Sequence, residues 1–317
     1  MTDENHASLS SRRELLFLYD IRMGNPNGDP DENRPRSLPD GRFYVTDVRL
    51  KRFARDYMLA KGQDILVSSI EGRTTNLTGR VAHYLREHAI DQAEGEALVK
   101  ILLDAFIDAR WFGSSFAFKK QDGWEPKPIP KTLTGAVQFN MGEVLHEAEE
   151  LYIQGTSVFG SAEDKTQGTF TGYAALRYAL VAFHGIANEH AAAKSRMSDA
   201  DYDTLLRALW NGVRSAGNTR TKVGQVPRWL VSVEYHPGEE FQFGNLMDYV
   251  KPVAVAGKPE REWASPDDYQ LDICRLLERL SSQRHRIARI RYAQSPDTVL
   301  SATPPSDWLA LGFDAPA

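Results

Sequence analysis

The chain has 317 residues, 42% of them apolar and 26% charged, with a formal net charge of −5. That is enough to bury a substantial core as one large domain or two ordinary ones; the acidic balance argues against coating nucleic acid with the whole surface and leaves room for a local basic groove. A lone cysteine, Cys274, excludes an internal disulfide and a multi-cysteine zinc site and fits a reducing compartment. The start, MTDENHASLS, is polar and acidic, unlike a secretory signal. The richest apolar run, Tyr173 to Ala187, is broken by Arg177 and His184 and falls short of a membrane span, so a cytoplasmic protein is expected.

Residues 1–13 read as a flexible tail. From Leu15 a strand is predicted: Phe17, Tyr19, Ile21 and Met23 alternate with Leu16, Leu18, Asp20 and Arg22, giving one apolar face and one mixed face. A polar loop, GNPNGDPDENRPR, leads to a helix opened by Thr46 or Asp47. Leu50, Phe53, Ala54, Tyr57 and Met58 make its buried stripe, and at ~100° per residue Lys51, Arg52 and Arg55 gather on the other side. With the positive helix end beside it, this face suits a phosphate backbone.

Residues 61–133 read as an insertion between two parts of one sheet. Asp64 to Thr78 is weakly ordered by propensity, and Gly79 to Phe112 is mostly helical, with Leu98, Ile101, Leu102, Ala105 and Phe106 as an apolar stripe. Gly113 to Lys131 reads as an exposed loop or hairpin. Leu133 to Met141 is a second predicted strand and Tyr173 to Ile186 a third. Between them, Gly155 to Gly160 and Gly168 to Gly172 flank a charged turn and predict a protruding hairpin. Ser198 opens a clear helix with Asp201 completing a capping box, and Tyr202, Leu205, Leu206, Leu209, Trp210 and Val213 face inward. Pro227 to His236 supplies a fourth strand, with Val231, Val233 and Tyr235 on one face. Ser265 to Asp268 opens a further helix with Tyr269, Ile273, Leu276, Leu277 and Leu280 as its apolar side. Arg284 to Tyr292 is basic and a candidate strand, and residues 301–317 read as a loose tail. The predicted class is therefore α+β, with the ferredoxin-like (RRM-like) order βαββαβ that RNA-recognition modules use.

The loop and first helix also carry a resemblance. Asn25-Pro26-Asn27-Gly28-Asp29-Pro30-Asp31, Asn33-Arg34-Pro35-Arg36 and Val45-Thr46-Asp47-Val48-Arg49-Leu50-Lys51-Arg52 are followed, in order, by further matching segments. These are Thr134-Gly135-Ala136-Val137-Gln138-Phe139, Gly168-Thr169-Phe170, Tyr178-Ala179-Leu180, Thr219-Arg220-Thr221-Lys222 and Arg228-Trp229-Leu230. Over roughly residues 14–236 the chain resembles the CRISPR-associated Cas-seven family, the backbone subunits of type I Cascade complexes, in the branch of subtypes I-B and I-C. The resemblance implies a hand-shaped subunit. Its palm is residues 14–60, 134–143 and 173–300, its helical finger insertion 61–133, and its β-hairpin thumb 144–172.

The resemblance further implies a noncatalytic protein without a cofactor, which holds crRNA by its backbone and polymerises with adjacent copies along it. Other Cascade subunits join the assembly, and target DNA is met through the guide, whose base pairing supplies sequence specificity. Carried onto this sequence, the RNA contacts are Asn25, Asn27, Arg34 and Arg36 of the loop, Lys51, Arg52 and Arg55 of the helix, and Arg220 and Lys222. Phe159 and Phe170 of the thumb are candidates for touching the guide or the next subunit.

Read without the resemblance, several of these features have plainer explanations. A charged helix face is commonly just solvated. Arg214 to Arg228 holds four basic residues and no acidic one; it reads equally as an anion-facing loop or as an ordinary basic connection. Arg284, Arg286, Arg289 and Arg291 fit a solvated surface or a subunit interface. The Asn/Asp loop places oxygens at alternate positions, but lacks the glycine and bidentate Glu of a calcium loop and is stiffened by two prolines, so turn formation accounts for it and no metal is expected. Phe17 and Tyr19 lack the aromatic RNP pattern and read as core. The eight histidines are scattered, with His83, His146 and His184 reading as hydrogen-bonding groups; neither a serine-nucleophile elbow nor a phosphate-binding P-loop is present, and Cys274 reads as structural. Two rival functions remain: a CRISPR endoribonuclease cutting with Asp29 or Asp31, and a general single-stranded nucleic-acid-binding protein.

Overall fold

The computed structural model describes residues 8–90, 93–119, 132–156, 170–217 and 220–313. In chain order, β1 (Arg13–Gly24) leads through the short β2 (Tyr44–Val45) into α1 (Asp47–Ala60). A helical segment follows, made of α2 (Leu77–Glu87), α3 (Gly95–Ala105), α4 (Ile107–Phe112) and a ribbon of β3 (Gly113–Ser115) with β4 (Thr132–Thr134). The chain returns to the sheet through β5 (Val137–Phe139), β6 (Gly142–Val144), β7 (Glu150–Thr156) and β8 (Phe170–Ala187). Then come α5 (Glu189–Ser195), α6 (Asp199–Ser215) and β9 (Gln225–Tyr235). The C-terminal part holds β10 (Lys251–Ala254), β11 (Tyr269–Asp272), α7 (Cys274–Ser282), β12 (Ile287–Gln294) and β13 (Leu309–Ala310).

The main sheet runs β13-β12-β9-β1-β8-β6-β2, with β5 and β7 also pairing with β8; every pair is antiparallel except β12 with β13. β1 is central because its residues are apolar on both sides. Leu15, Phe17, Tyr19 and Ile21 pack with Leu50, Phe53 and Ala54 of α1 and with Leu205, Leu206 and Leu209 of α6. Leu16 and Leu18 pack on the opposite face with Val231, Val233, Leu246, Trp263, Leu271 and Leu276. Each such side chain taken fully out of water contributes roughly 1.5–3 kcal/mol, which favours covering both faces. The helical segment has its own cluster around Leu66, Val81, Leu98, Leu102 and Phe106. Arg110 and Trp111 tie it to α6: Arg110 forms a bidentate pair with Asp201 at 2.9 and 2.7 Å, and the Trp111 indole donates to the Asp201 carbonyl at 2.9 Å.

Several sequence expectations are corrected. The mixed face of β1 is buried, since the segment from Phe243 to Leu280 covers it and Asp20 is neutralised there by Arg228 Nε at 2.7 Å and the Tyr178 hydroxyl at 2.6 Å. Met23 leaves the apolar face at the strand end, turns to a positive φ of 49° and is 45% exposed. The Ser265 capping box forms, but it caps a single 3-10 turn, because Tyr269 and Leu271 alternate into the core and pair with β10 as a strand. Residues 8–13 are not a tail: Leu9 is buried, its N–H donates to the Met197 carbonyl at 2.8 Å, and Arg13 already belongs to β1. Residues 301–313 are also held, with Trp308 buried, β13 on the sheet and Phe313 against Trp210 at 6.0 Å. Among the described residues, no helix is long and apolar enough to cross a membrane.

Candidate nucleic-acid interface

The loop after β1 folds on itself through its own side chains. The buried Asn25 donates from Nδ2 to the Asn33 carbonyl at 2.8 Å and accepts the Asn27 N–H at 3.0 Å. Asn27 Oδ1 in turn accepts both the N–H and the hydroxyl of Thr46 at 2.8 Å. Thr46 is the N-cap of α1, so Asn27 fixes the loop to the helix start. The Asp29 carboxylate accepts the backbone N–H groups of Asp31, Glu32 and Arg34 at 2.9, 2.7 and 2.9 Å, and these bonds, that of Glu32 foremost, hold it below the usual carboxylate range. Arg36 Nε donates to the Gly28 carbonyl at 3.3 Å. A Cβ at Gly28 would strike the Asn33 side-chain amide, so a larger residue there displaces that amide from the loop. Arg34 grips Glu150 at the start of β7 with two bonds of 2.9 and 2.6 Å, which push its guanidinium further into the charged form.

The three helix cations expected on one face separate. Arg52 is half exposed and, among the described residues, ion-paired with Asp56 alone, one turn on, at 2.6 Å. Lys51 is 12% exposed, bonded to Asp47 at 2.9 Å and lying over the Phe112 ring. Arg55 turns inward, 10% exposed, and meets the buried Asp108 at 2.9 Å. The Asp108 carboxylate also accepts the N–H groups of Leu66 and Val67, at 2.8 and 3.2 Å. Arg55 is thus a fastener between α1 and the helical segment, and the expectation that it shares the open face is corrected.

The second basic segment reaches this place from the other end of the chain. The Asn25 N–H donates to the Thr221 carbonyl at 3.0 Å, and Lys222 Nζ donates to the Asn25 carbonyl. Gly24 permits this approach, since a Cβ there would lie 2.7 Å from the Thr221 carbonyl oxygen. Lys222 is desolvated and lies beside Arg49, two causes that bring its amine down to about 7. Arg49, which the sequence reading did not single out, lies over the Phe53 ring at 4.2 Å; burial lowers its guanidinium, and its Nε has no hydrogen-bond partner among the described residues. Its place three residues before Arg52 in the same basic stretch was the available signal. Among the described residues, no carboxylate forms an ion pair with Lys222 or Arg49. The loop thus joins the two basic segments, Asn25 bonding Thr221 and Lys222 and Asn27 bonding Thr46 at the start of the helix that carries Arg49.

Other expected residues fall elsewhere. The side chain of Arg220 and the whole of Phe159 lie outside the described residues, and Phe170 begins β8 with its side chain likewise outside them. In the third basic run, Arg284, Arg286, Arg289 and Arg291 each hold a carboxylate, from Asp307, Glu239, Glu234 and Asp203 respectively. Phe17 and Tyr19 are core residues. Among the described residues no group of three or more His, Cys, Asp and Glu is placed to hold a metal ion.

The family model for CRISPR-associated protein Cas7 matches residues 11–274, spanning the loop, α1 and the Lys222 segment. The chain belongs to the Cas7 family. A CRISPR-associated protein Cas7 from Haloferax volcanii is 33% identical to this Cas7 chain over 292 residues, covering 87% of it and 85% of the relative. Among solved structures, a chain of a CRISPR RNA-guided surveillance complex superposes with a TM-score of 0.54 at 13% identity, covering 96% of this chain and 97% of the other. A chain of such a complex described as pre-nicking gives 0.54 at 13% identity, covering 95% and 96%. At that identity the likeness is one of fold.

Proposed function

We propose that this Cas7 chain is a noncatalytic backbone subunit that binds crRNA, lines up with copies of itself along it, and presents the guide for pairing with target DNA in a type I Cascade complex of the I-B/I-C branch. Family membership and the fold shared with surveillance-complex chains support this reading. So does the central strand order β9-β1-β8-β6 with α1 and α6 on one face, the arrangement a ferredoxin-like palm would have. On this reading the helical segment is the fingers and residues 144–172 the thumb.

The observation that carries the proposal is the basic rim by the end of β1, where Lys222 bonds the Asn25 carbonyl and Arg49 lies over Phe53, neither of them ion-paired with a carboxylate among the described residues, with the half-exposed Arg52 on the same helix as Arg49. A polyanion supplies the missing counter-charge, and a phosphate backbone does so without regard to base sequence. Of the two aspartates an endoribonuclease reading would use, Asp29 and Asp31, the first has its carboxylate committed to the turn, which favours a structural role for it.

The test is expression with a matching CRISPR array, purification, and sequencing of the RNA that comes with the protein. Discrete repeat-spacer RNA in the wild type, lost in Arg49→Ala/Lys222→Ala, is the expected result. Random fragments retained equally by the variant would overturn the reading and favour a general single-strand binder.

A further inference from the structure

We propose that Glu149 and Glu150, at the start of β7, are built-in competitors of RNA: each holds an arginine in reserve, so that a phosphate backbone gains that guanidinium only by displacing a carboxylate, and a single subunit grips a stray single strand weakly. This rests on the reading that the chain meets an RNA backbone, and adds to it the residues that limit how strongly it does so.

Arg34, on the loop after β1, meets Glu150 through two bonds of 2.9 and 2.6 Å. Arg177, on β8 between the residues that pair with Arg22 and Gly24 of β1, meets Glu149 at 2.5 Å. Both arginines remain open to water, at 55% and 39% exposure. A cavity of about 480 Å³, lined in part by Glu32, Arg34 and Glu150, gives an incoming group access to the first pair. Glu32 stands 3.6 Å from Arg34 as a second, looser carboxylate. The pattern continues along the same stretch, EVLHEAEE, where Glu147 holds Arg261 and Glu143 lies 3.6 Å from Arg42. Four glutamates within eight residues thus each face an arginine from elsewhere in the chain.

The fold is secured without these pairs. The loop is closed by Asn25, Asn27 and Asp29, and the backbone N–H and carbonyl of Arg34 are both bonded to Asp29. β7 and β8 are joined by a ladder from Glu150 opposite Leu176 to Thr156 opposite Phe170, and the Arg177 N–H donates to the Glu149 carbonyl at 2.9 Å. Exposed ion pairs add little to stability. What they change is the charge offered to a polyanion. The planar fork of a guanidinium fits a phosphate as well as a carboxylate, so the two compete for the same donors. An arginine already neutralised by a carboxylate adds little to the counterion release that drives non-specific binding until the carboxylate is displaced. The restraint therefore falls on indiscriminate binding, which is almost wholly electrostatic.

The experiment is fluorescence anisotropy of the full chain with a labelled single-stranded RNA of random sequence, over a series of salt concentrations. Glu149→Gln and Glu150→Gln keep the side-chain shape and remove the charge. Glu278→Gln makes the same charge change on α7, where the exposed carboxylate has no ion pair among the described residues, and serves as the control. Each of the first two is expected to bind about three- to fivefold more tightly than the wild type at low salt. Each should also steepen the dependence of log affinity on log salt by about 0.7, the value of one more phosphate contact on a single strand. Glu278→Gln is expected to stay within about twofold of the wild type, with the same slope. Adding Arg34→Ala to Glu150→Gln is expected to abolish the gain. A gain no larger than that of Glu278→Gln, or one that survives Arg34→Ala, overturns the proposal while leaving the RNA-binding reading intact. Absence of RNA binding by all of these proteins at every salt concentration overturns both.

Discussion

Replacing Arg55 with alanine tests whether the cations of α1 divide between architecture and ligand contact as their surroundings indicate. Arg55 is 10% exposed and donates to Asp108, which is 1% exposed and also accepts two backbone N–H groups. Removing the arginine leaves that carboxylate buried without its cation, and breaking a buried pair from one side costs about 3–5 kcal/mol. The Arg52–Asp56 pair is an exposed i,i+4 contact, worth only about 0.3–0.5 kcal/mol. For 317 residues, at about 2.1 cal/mol/K each, the unfolding entropy is roughly 0.7 kcal/mol/K. Melting temperature should then fall by about 4–8 °C in Arg55→Ala and by less than about 1 °C in Arg52→Ala. Thermal melts of the RNA-free variants by circular dichroism read these shifts, and RNA retention is measured well below both melts. The expected pattern is reciprocal: Arg55→Ala melts early and keeps RNA, whereas Arg52→Ala melts normally and binds more weakly. An Arg55→Ala protein that melts like wild type but releases its RNA would refute the reasoning.

Asn27→Ala removes the acceptor of two Thr46 bonds and should cost about 1–3 kcal/mol, read by urea unfolding, with faster amide exchange at Thr46. Trp308→Ala should cost about 3–5 kcal/mol if residues 301–313 are held as described; an unchanged urea midpoint would show the segment to be dispensable. His146 is buried and its imidazole is lowered to about 4, chiefly by desolvation. The unfolded chain therefore binds the extra proton first, so this contribution is complete above about pH 6.5 and is lost as pH falls toward 4, by up to about 1.4 kcal/mol per unit. His146→Asn should flatten that part of the stability–pH profile, and an unaltered slope would rule out His146 as its source.

The parts of the fold that were legible in the sequence are those fixed by local pattern. The alternation of β1, the inward stripe of α1 and the Ser198–Asp201 capping box of α6 each depend on neighbours within a turn or two. What was not legible depends on distant segments. By helical angle alone Arg52 and Arg55 are equivalent; they differ because Asp108, 53 residues on, lies above one of them. The burial of the mixed face of β1 could not be read locally, because the partner of Asp20, Arg228, stands 208 residues on in β9 and the segment that covers the face comes later still. Ser265 to Asp268 has real capping chemistry, yet the period-2 placement of Tyr269 and Leu271 prevails over it. Lys222 was found by motif, but its desolvation follows from Thr221 crossing the end of β1.

The burial of both sheet faces also bears on how such a protein can meet RNA. Recognition modules with a four-stranded sheet stack bases on aromatics of an open face. Here that face is closed by the C-terminal segment, with Trp263 and Tyr269 stacked at 5.3 Å beneath it and Tyr178 hydrogen-bonded to the buried Asp20. On the proposed function, a strand of RNA would therefore approach along the rim of the sheet rather than across this covered face. At the rim by the end of β1, the described side chains that converge are cations and amides, and their exposed sequence neighbours Met23, Val48 and Val223 are aliphatic or thioether rather than aromatic. On the proposed function, a site of that composition would hold the charged backbone while, among the described side chains of this rim, offering bases no aromatic platform, which would leave the bases free to pair with another strand.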